Sequence, residues 1–187
     1  MKNIAIVCFA LLLAVGATAG EKIPGTGTPE IVGAMDQTRG ETFEFTEFVA
    51  TGSEFFLLDP DPVVGVISSV VGDFVLNADA EGYTYCNDLT LLVMTAGDGH
   101  VLIQVGGWTD YGAEFRRSWD YGNADDAGTL GGGTEPLPDV DCTGYHLYLG
   151  NGYGSGGVGN WTGSIELVGS VVGTEATTLS GVKALFD

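Results

Sequence analysis

The chain has 187 residues, 25 of them acidic and six basic, for a formal charge of −19 at neutral pH. A surface this negative repels nucleic acid and anionic lipid headgroups and excludes roles built on binding either. Glycine is abundant, at 31 residues, and runs rich in Ala, Glu, Lys and Leu are missing, so the composition points to β structure rather than to helices.

The N-terminus reads as a signal peptide over residues 1–19. Met1-Lys2-Asn3 carries one positive charge, Ile4 to Val15 is an unbroken apolar run, and Ala17-Thr18-Ala19 supplies the small residues of a cleavage site. The run is too short for a spanning helix, and Cys8, preceded by Val7, does not resemble a lipoprotein acylation site. The expected localisation is therefore secreted, extracellular or periplasmic, with no membrane insertion once the leader is cleaved. About 168 residues then remain, enough for one domain. The charge becomes −20, since Lys2 leaves with the leader.

Export also changes the meaning of the cysteines. Without Cys8, Cys86 and Cys142 remain as a pair, and an oxidising compartment leads to the expectation of one disulfide. It would close a loop of roughly 55 residues and contribute about 4 kcal/mol by loop-closure entropy. Neither cysteine lies in a C-x-x-C spacing or beside a histidine, so a thiolate metal site is disfavoured.

Residues 20–40, rich in Gly, Thr and Pro, read as a flexible lead-in or an irregular first edge. The remainder, 41–187, is expected to form one domain. Thr42 to Phe48 alternates Phe with polar residues as a half-buried strand does. Ser53 to Leu58 is a second strand, stopped by Asp59-Pro60-Asp61-Pro62. Val63 to Leu76, interrupted by Gly72-Asp73, predicts two strands or one bulged strand. Tyr83 to Thr95 and His100 to Val105, joined by Ala96-Gly97-Asp98-Gly99, form the clearest hairpin.

Ala113 to Trp119 then alternates apolar and charged residues, and Tyr121 to Asp141 reads as a loop containing Gly131-Gly132-Gly133. Tyr145 to Leu149 and Trp161 to Val172 are the last two strands, flanking the glycine-rich stretch from Gly150 to Gly159. Thr178 to Phe186 reads as a short C-terminal helix. Seven to nine short strands with turn-rich connections predict an all-β, antiparallel β-sandwich of jelly-roll or Greek-key type.

Within this pattern, Val63 to Val168 resembles the P domain that accompanies subtilisin-type proprotein convertases and many secreted bacterial proteases. The resemblance rests on three stretches: Asn87-Asp88-Leu89-Thr90-Leu91-Leu92-Val93 with the Gly97-Asp98-Gly99 turn and His100-Val101-Leu102-Ile103; Gly106-Gly107 followed by Asn123-Ala124-Asp125-Asp126-Ala127; and Gly159-Asn160-Trp161-Thr162-Gly163-Ser164-Ile165-Glu166-Leu167. Gly163, Ser164 and the short Glu135-Pro136-Leu137-Pro138 segment depart from the family pattern, and the cysteine pair is not a general feature of it. The resemblance implies a non-catalytic module. Such domains usually sit beside a protease, and this chain has no protease domain.

Two sets of residues carry candidate chemistry. Asp88, Asp120, Asp125 and Asp126 fall near turns that a sandwich can bring to one end, and they suit Ca2+, which takes about six to eight oxygen ligands. The resemblance makes Asp88 and Asp126 the first choices. No EF-hand spacing occurs, and Gly150 to Gly159 lacks the Asp of a calcium-binding nonapeptide. The competing reading is that these acids solvate loops and cap turns.

The second set is aromatic. Trp108, Tyr111, Trp119, Tyr121, Tyr145, Tyr153 and Trp161 lie in or beside loops of the C-terminal half. Trp108 and Tyr111 form the expected platform for a sugar ring, and Trp161 is expected in the core. The competing reading is that most of these rings pack in the core or across hairpins. His100 and His146 stand in strands with no motif around them, and no nucleophile elbow, H-E-x-x-H or Walker sequence occurs, so an enzyme is not expected. Asn160-Trp161-Thr162 fits a glycosylation sequon.

Taken together, these features predict a secreted, non-catalytic binding or accessory module with an unknown protein or glycan partner, stabilised by calcium and a disulfide. The alternatives are a carbohydrate-binding module using Trp108 and Tyr111, and a structural protein of the cell surface or matrix.

Overall fold

The computed structural model describes residues 27–35, 42–77, 82–154 and 157–170. The leader, most of the lead-in and the C-terminal helix expected over Thr178 to Phe186 lie outside the described residues. Ten strands are described: β1 (Glu30–Ala34), β2 (Thr42–Thr51), β3 (Glu54–Leu57), β4 (Val66–Leu76), β5 (Leu89–Met94), β6 (Val101–Val105), β7 (Phe115–Arg117), β8 (Leu130–Asp141), β9 (His146–Asn151) and β10 (Val158–Gly169). Among the described residues the one helical element is a single 3-10 turn, Cys86–Asp88.

The strands form two sheets. One has the order β1-β3-β9-β5-β6-β7 and the other β2-β10-β4-β8. All pairings are antiparallel except β1 with β3 and β6 with β7 at the two edges of the larger sheet. The protein is an all-β, mainly antiparallel β-sandwich. The expected hairpin forms as β5 and β6, with Leu91 opposite Val105. The stretch read as lead-in or irregular edge contributes β1, an edge strand with a register shift between Ile31 and Gly33.

A period of two in the sequence becomes an inner and an outer face. In β2, Phe43, Phe45, Phe48 and Ala50 are buried. The break between Phe45 and Phe48 is a bulge in which Glu47 takes a φ of 51° and its N–H donates to the Thr162 hydroxyl at 3.1 Å. β4 is one continuous strand across Gly72-Asp73, with its irregularity between Ile67 and Ser69 instead.

The main core fills the space between the sheets. It joins the phenylalanines of β2 to Ile67, Val70 and Phe74 of β4, Leu89, Leu91 and Val93 of β5, and Trp161, Ile165 and Leu167 of β10. Trp161 is fully buried, as expected from the sequence. The outer face of the larger sheet carries a second, smaller core of Phe55, Leu92, Met94, Val101, Tyr111 and Tyr148. All six residues of β5 are therefore buried, which explains a sequence that is apolar at every position but Thr90.

Two expectations are corrected here. The stretch from Tyr121 to Asp141 is not all loop, because its last twelve residues are β8. Glycine and proline hid it: Gly131-Gly132-Gly133 and Pro136-Leu137-Pro138 both argue against a strand. β8 tolerates them because it is the edge of the smaller sheet, and Leu137 to Asp139 bulge out of register there.

The Cys86–Cys142 disulfide is also absent, and both thiols are free and buried. The Cys86 Sγ lies against Gly131, opposite Phe74, whereas Cys142 follows Asp141, opposite Val66. Eight residues of β4 separate those two levels. At about 3.3 Å per residue the cysteines are roughly 26 Å apart, far beyond the ~7 Å Cα separation that a disulfide spans. Burial pushes each thiol up to about 12, so neither is a nucleophile at neutral pH.

Candidate functional site

At the end of the larger sheet where β5 begins and β6 ends, three segments enclose a cleft of about 260 Å³. Asn87 comes from the 3-10 turn, Gly106, Gly107 and Trp108 from the chain leaving β6, and Ser118, Trp119, Asp120 and Asn123 from the chain following β7.

The segment after β6 is held by backbone geometry that side chains do not tolerate. Gly106 and Gly107 have φ of 86° and 73°, a left-handed pair that glycine adopts without steric cost. A Cβ on Gly107 would lie 2.2 Å from the Thr90 Oγ1 and 2.9 Å from the Gly152 Cα. The Gly107 N–H donates to the Asn87 carbonyl at 2.9 Å, and the Trp108 and Thr109 N–H groups both donate to the Gly152 carbonyl.

Two polar side chains lock the remaining backbone. Buried Gln104 donates through Nε2 to the Gly106 and Thr109 carbonyls and accepts the Tyr111 N–H. The Arg116 Nη2 donates to the Trp108 carbonyl at 3.1 Å and to that of Gly107 at 3.4 Å. These bonds fix a loop that would otherwise be free to move.

The three tryptophans divide by what their indole N–H does. Trp119 donates to the Leu89 carbonyl at 2.6 Å and Trp161 to the Cys86 carbonyl at 2.9 Å, and both rings are buried in the main core. Trp108 is half-buried on the cleft wall, and its N–H has no acceptor.

The acidic candidates also separate. Asp88 is 1% exposed. Its carboxylate accepts the Tyr85 N–H at 2.7 Å and its carbonyl accepts from Thr90 and Gly152, so it builds the turn beneath the cleft. Asp125 and Asp126 are exposed, and the Asp126 carbonyl accepts both the N–H and the hydroxyl of Thr129 in a tight turn. Only Asp120 of the four lines the cleft. The structure does not bring the four proposed calcium ligands together, and no group of three His, Cys, Asp or Glu with metal-holding geometry occurs among the described residues.

The aromatic pair is corrected in its second member. Tyr111 is 8% exposed, stands edge-on to Phe55 at 5.3 Å and approaches the Ser53 hydroxyl at 3.3 Å. It belongs to the smaller core and is no platform for a ligand. Burial raises its phenol above the ordinary tyrosine range.

Sequence reasoning missed Asn87, Ser118 and Asn123 as cleft residues, because polar side chains in turns carry no signal until the fold sets them face to face. It also missed Glu135 of β8, which is 5% exposed and sits beside Asp120. The Asp120 carboxyl packs over Gly133, two residues before Glu135. Burial and the neighbouring Asp120 carboxylate hold the Glu135 carboxyl above the usual range, and one of its oxygens is buried without a partner.

The sequon is closed as well. Asn160 is 3% exposed, and its side-chain oxygen accepts from Asn77 at 2.6 Å, so a folded chain does not present it for modification. Comparison with known protein families, with characterised proteins and with solved structures finds no match.

Proposed function

We propose that the chain is an exported, non-catalytic binding module whose cleft at Trp108 takes a carbohydrate ring. The observation that carries this reading is the contrast among the tryptophans: the one indole whose N–H has no acceptor stands on the wall of a cleft that also holds Asn87, Asn123, Ser118 and Asp120. A pyranose presents an apolar C–H face, which an indole ring covers, and a rim of hydroxyls, which amides and carboxylates bind. At about 260 Å³, the cleft falls just below the roughly 300–1,000 Å³ range of drug-sized ligand sites, a size suited to one ring or a chain end rather than a long polymer. The P-domain resemblance, which implies a non-catalytic sandwich, is compatible with this reading.

Isothermal titration of the purified chain against neutral mono- and oligosaccharides tests the proposal. Trp108→Ala should weaken binding at least tenfold, about 1.4 kcal/mol, and Asn123→Ala should weaken it less. Tyr145→Ala, remote from the cleft, should leave it unchanged. Binding that survives Trp108→Ala in a folded protein would remove the cleft from consideration.

A further inference from the structure

Among the described residues, Asp120 is the one charged side chain lining the cleft. The other polar side chains there, Asn87, Ser118 and Asn123, are neutral. The basic residues among those described are Arg116 and Arg117, and neither lines the cleft. Arg116 turns its Nη2 to the Gly107 and Trp108 carbonyls, and Arg117 donates to those of Pro136 and Arg116.

Asp120 is held in place from three sides. Before it, the Trp119 ring is buried and its indole N–H donates to the Leu89 carbonyl at 2.6 Å. After it, the Tyr121 N–H donates to the Gly132 carbonyl at 3.2 Å. Against it lies Gly133, whose φ of 127° favours glycine. A Cβ on Gly133 would stand 2.7 Å from the Asp120 Cβ and 3.2 Å from its Oδ2, so Asp120 occupies a hollow that only glycine leaves open. Gly133 is itself fixed by pairing with Gly72 of β4. The glycine run that hid β8 in the sequence thus seats an exposed carboxylate at the cleft.

A carboxylate accepts hydrogen bonds at both oxygens and donates none. Neighbouring hydroxyls of a pyranose donate to both at once, in bonds that the charge strengthens. A carboxylate on the ligand offers no proton and brings a like charge. A cleft of about 260 Å³ spans roughly one Debye length at physiological salt, so that charge acts on Asp120 whichever way the ring enters. A repulsive element of this kind separates ligands of the same shape.

Resting on the carbohydrate reading of the cleft, we infer that Asp120, seated on Gly133, sets the specificity: it binds two neighbouring hydroxyls of a neutral sugar and rejects uronic acids.

Titration of the full chain with glucose and galactose oligomers, and with glucuronic and galacturonic acid oligomers of equal length, tests this. The neutral series should bind at least about tenfold tighter than the acidic one at physiological salt. Asp120→Asn should bring the two to within about threefold, weakening the first and strengthening the second. Asp98→Asn removes the same single charge at the hairpin end and should leave the ratio as it is. Gly133→Ala, which pushes Asp120 off its seat, should narrow the ratio. Should that variant fail to fold, Asp120→Glu keeps the charge but displaces it, and should weaken neutral binding while acidic oligomers stay rejected.

An acidic series that binds as tightly as the neutral one, or a ratio unmoved by Asp120→Asn, would overturn this inference and leave the carbohydrate reading intact. So would an equal effect of Asp98→Asn, which would assign the rejection to the net charge of the whole chain. Binding of neither series would remove both readings.

Discussion

The two ends of the larger sheet are built from similar residues and do opposite things with them. At the hairpin end, the His100 Nε2 meets the Glu114 carboxylate at 3.0 Å and its Nδ1 faces the Tyr145 hydroxyl at 3.5 Å. Asp98 accepts from the Thr95 hydroxyl and the His100 N–H. These groups are mostly solvated and satisfy one another. At the cleft end, Trp108, Arg116 and Glu135 each keep a buried polar atom without a partner, three of the four such atoms among the described residues. An unsatisfied buried group costs about 1–3 kcal/mol, so a fold that tolerates one on the cleft wall and two beside it, against the single His146 Nδ1 opposite Met94 at the hairpin end, is less well optimised at the cleft for stability. Sites that bind often show this pattern, whereas solvated turns rarely do.

The contrast can be broken most directly with glycines. Gly107→Ala forces a Cβ into Thr90 and a side chain into a left-handed φ, and should cost about 2–4 kcal/mol in chemical denaturation. Gly97→Ala in the hairpin turn meets nothing within 4 Å and should stay within about 0.5 kcal/mol. Equal effects would mean that the two ends are equally tolerant, and the distinction would fall.

A smaller effect is expected from Trp119→Phe, which keeps the ring in the core but removes the bond to the Leu89 carbonyl. The orphaned acceptor should cost about 1–3 kcal/mol, read from the same denaturation midpoint. Tyr145→Phe, which loses only a long, exposed contact to His100, should change stability by less than about 0.5 kcal/mol.

The ends should also respond to pH with opposite signs. Asp98 is held below the ordinary range by the Thr95 hydroxyl and then the His100 N–H, so its contribution is present above the unfolded pKa and lost as pH falls through the folded one. Glu135 is held above its ordinary range by burial and then by Asp120. Its protonated form is favoured by folding, so its contribution is full below the unfolded pKa and lost as pH rises through the folded one. Stability measured across the acid range should therefore lose opposite slopes in Asp98→Asn and Glu135→Gln. Slopes of the same sign would refute the assignment of Glu135.

No effect at all is expected from reductant. Cys86 lies at the cleft end and Cys142 beside Tyr145 at the hairpin end. The melting temperature should be unchanged by dithiothreitol, and neither thiol should react with Ellman's reagent until the chain unfolds. A lowered melting temperature would join the two ends covalently and undo the separation argued here.

Wherever side-chain periodicity meets a buried face, the sequence was legible. Thr42 to Phe48, the Leu89–Met94 and Val101–Val105 hairpin, and Trp161 at the start of the last long strand all follow from spacing and composition. β8 was not legible, because local preference argues against strand at Gly131 to Gly133 and at Pro136. Pairing along β4 outweighs that preference only in three dimensions. Trp108 and Asp120 were singled out for different reasons, one as a sugar platform and the other as a calcium ligand, and the structure sets them in the same cleft.

The residues alone therefore determined the class of fold, since a period of two and a set of turns act locally along the chain. Tertiary structure decided the rest: that Tyr111 packs inward while Trp108 does not, that two cysteines in one chain sit at opposite ends of a strand, and that Glu135 comes to face Asp120. Each of these depends on which strands become neighbours. Strand order is set by the burial of whole faces rather than by any segment's own sequence.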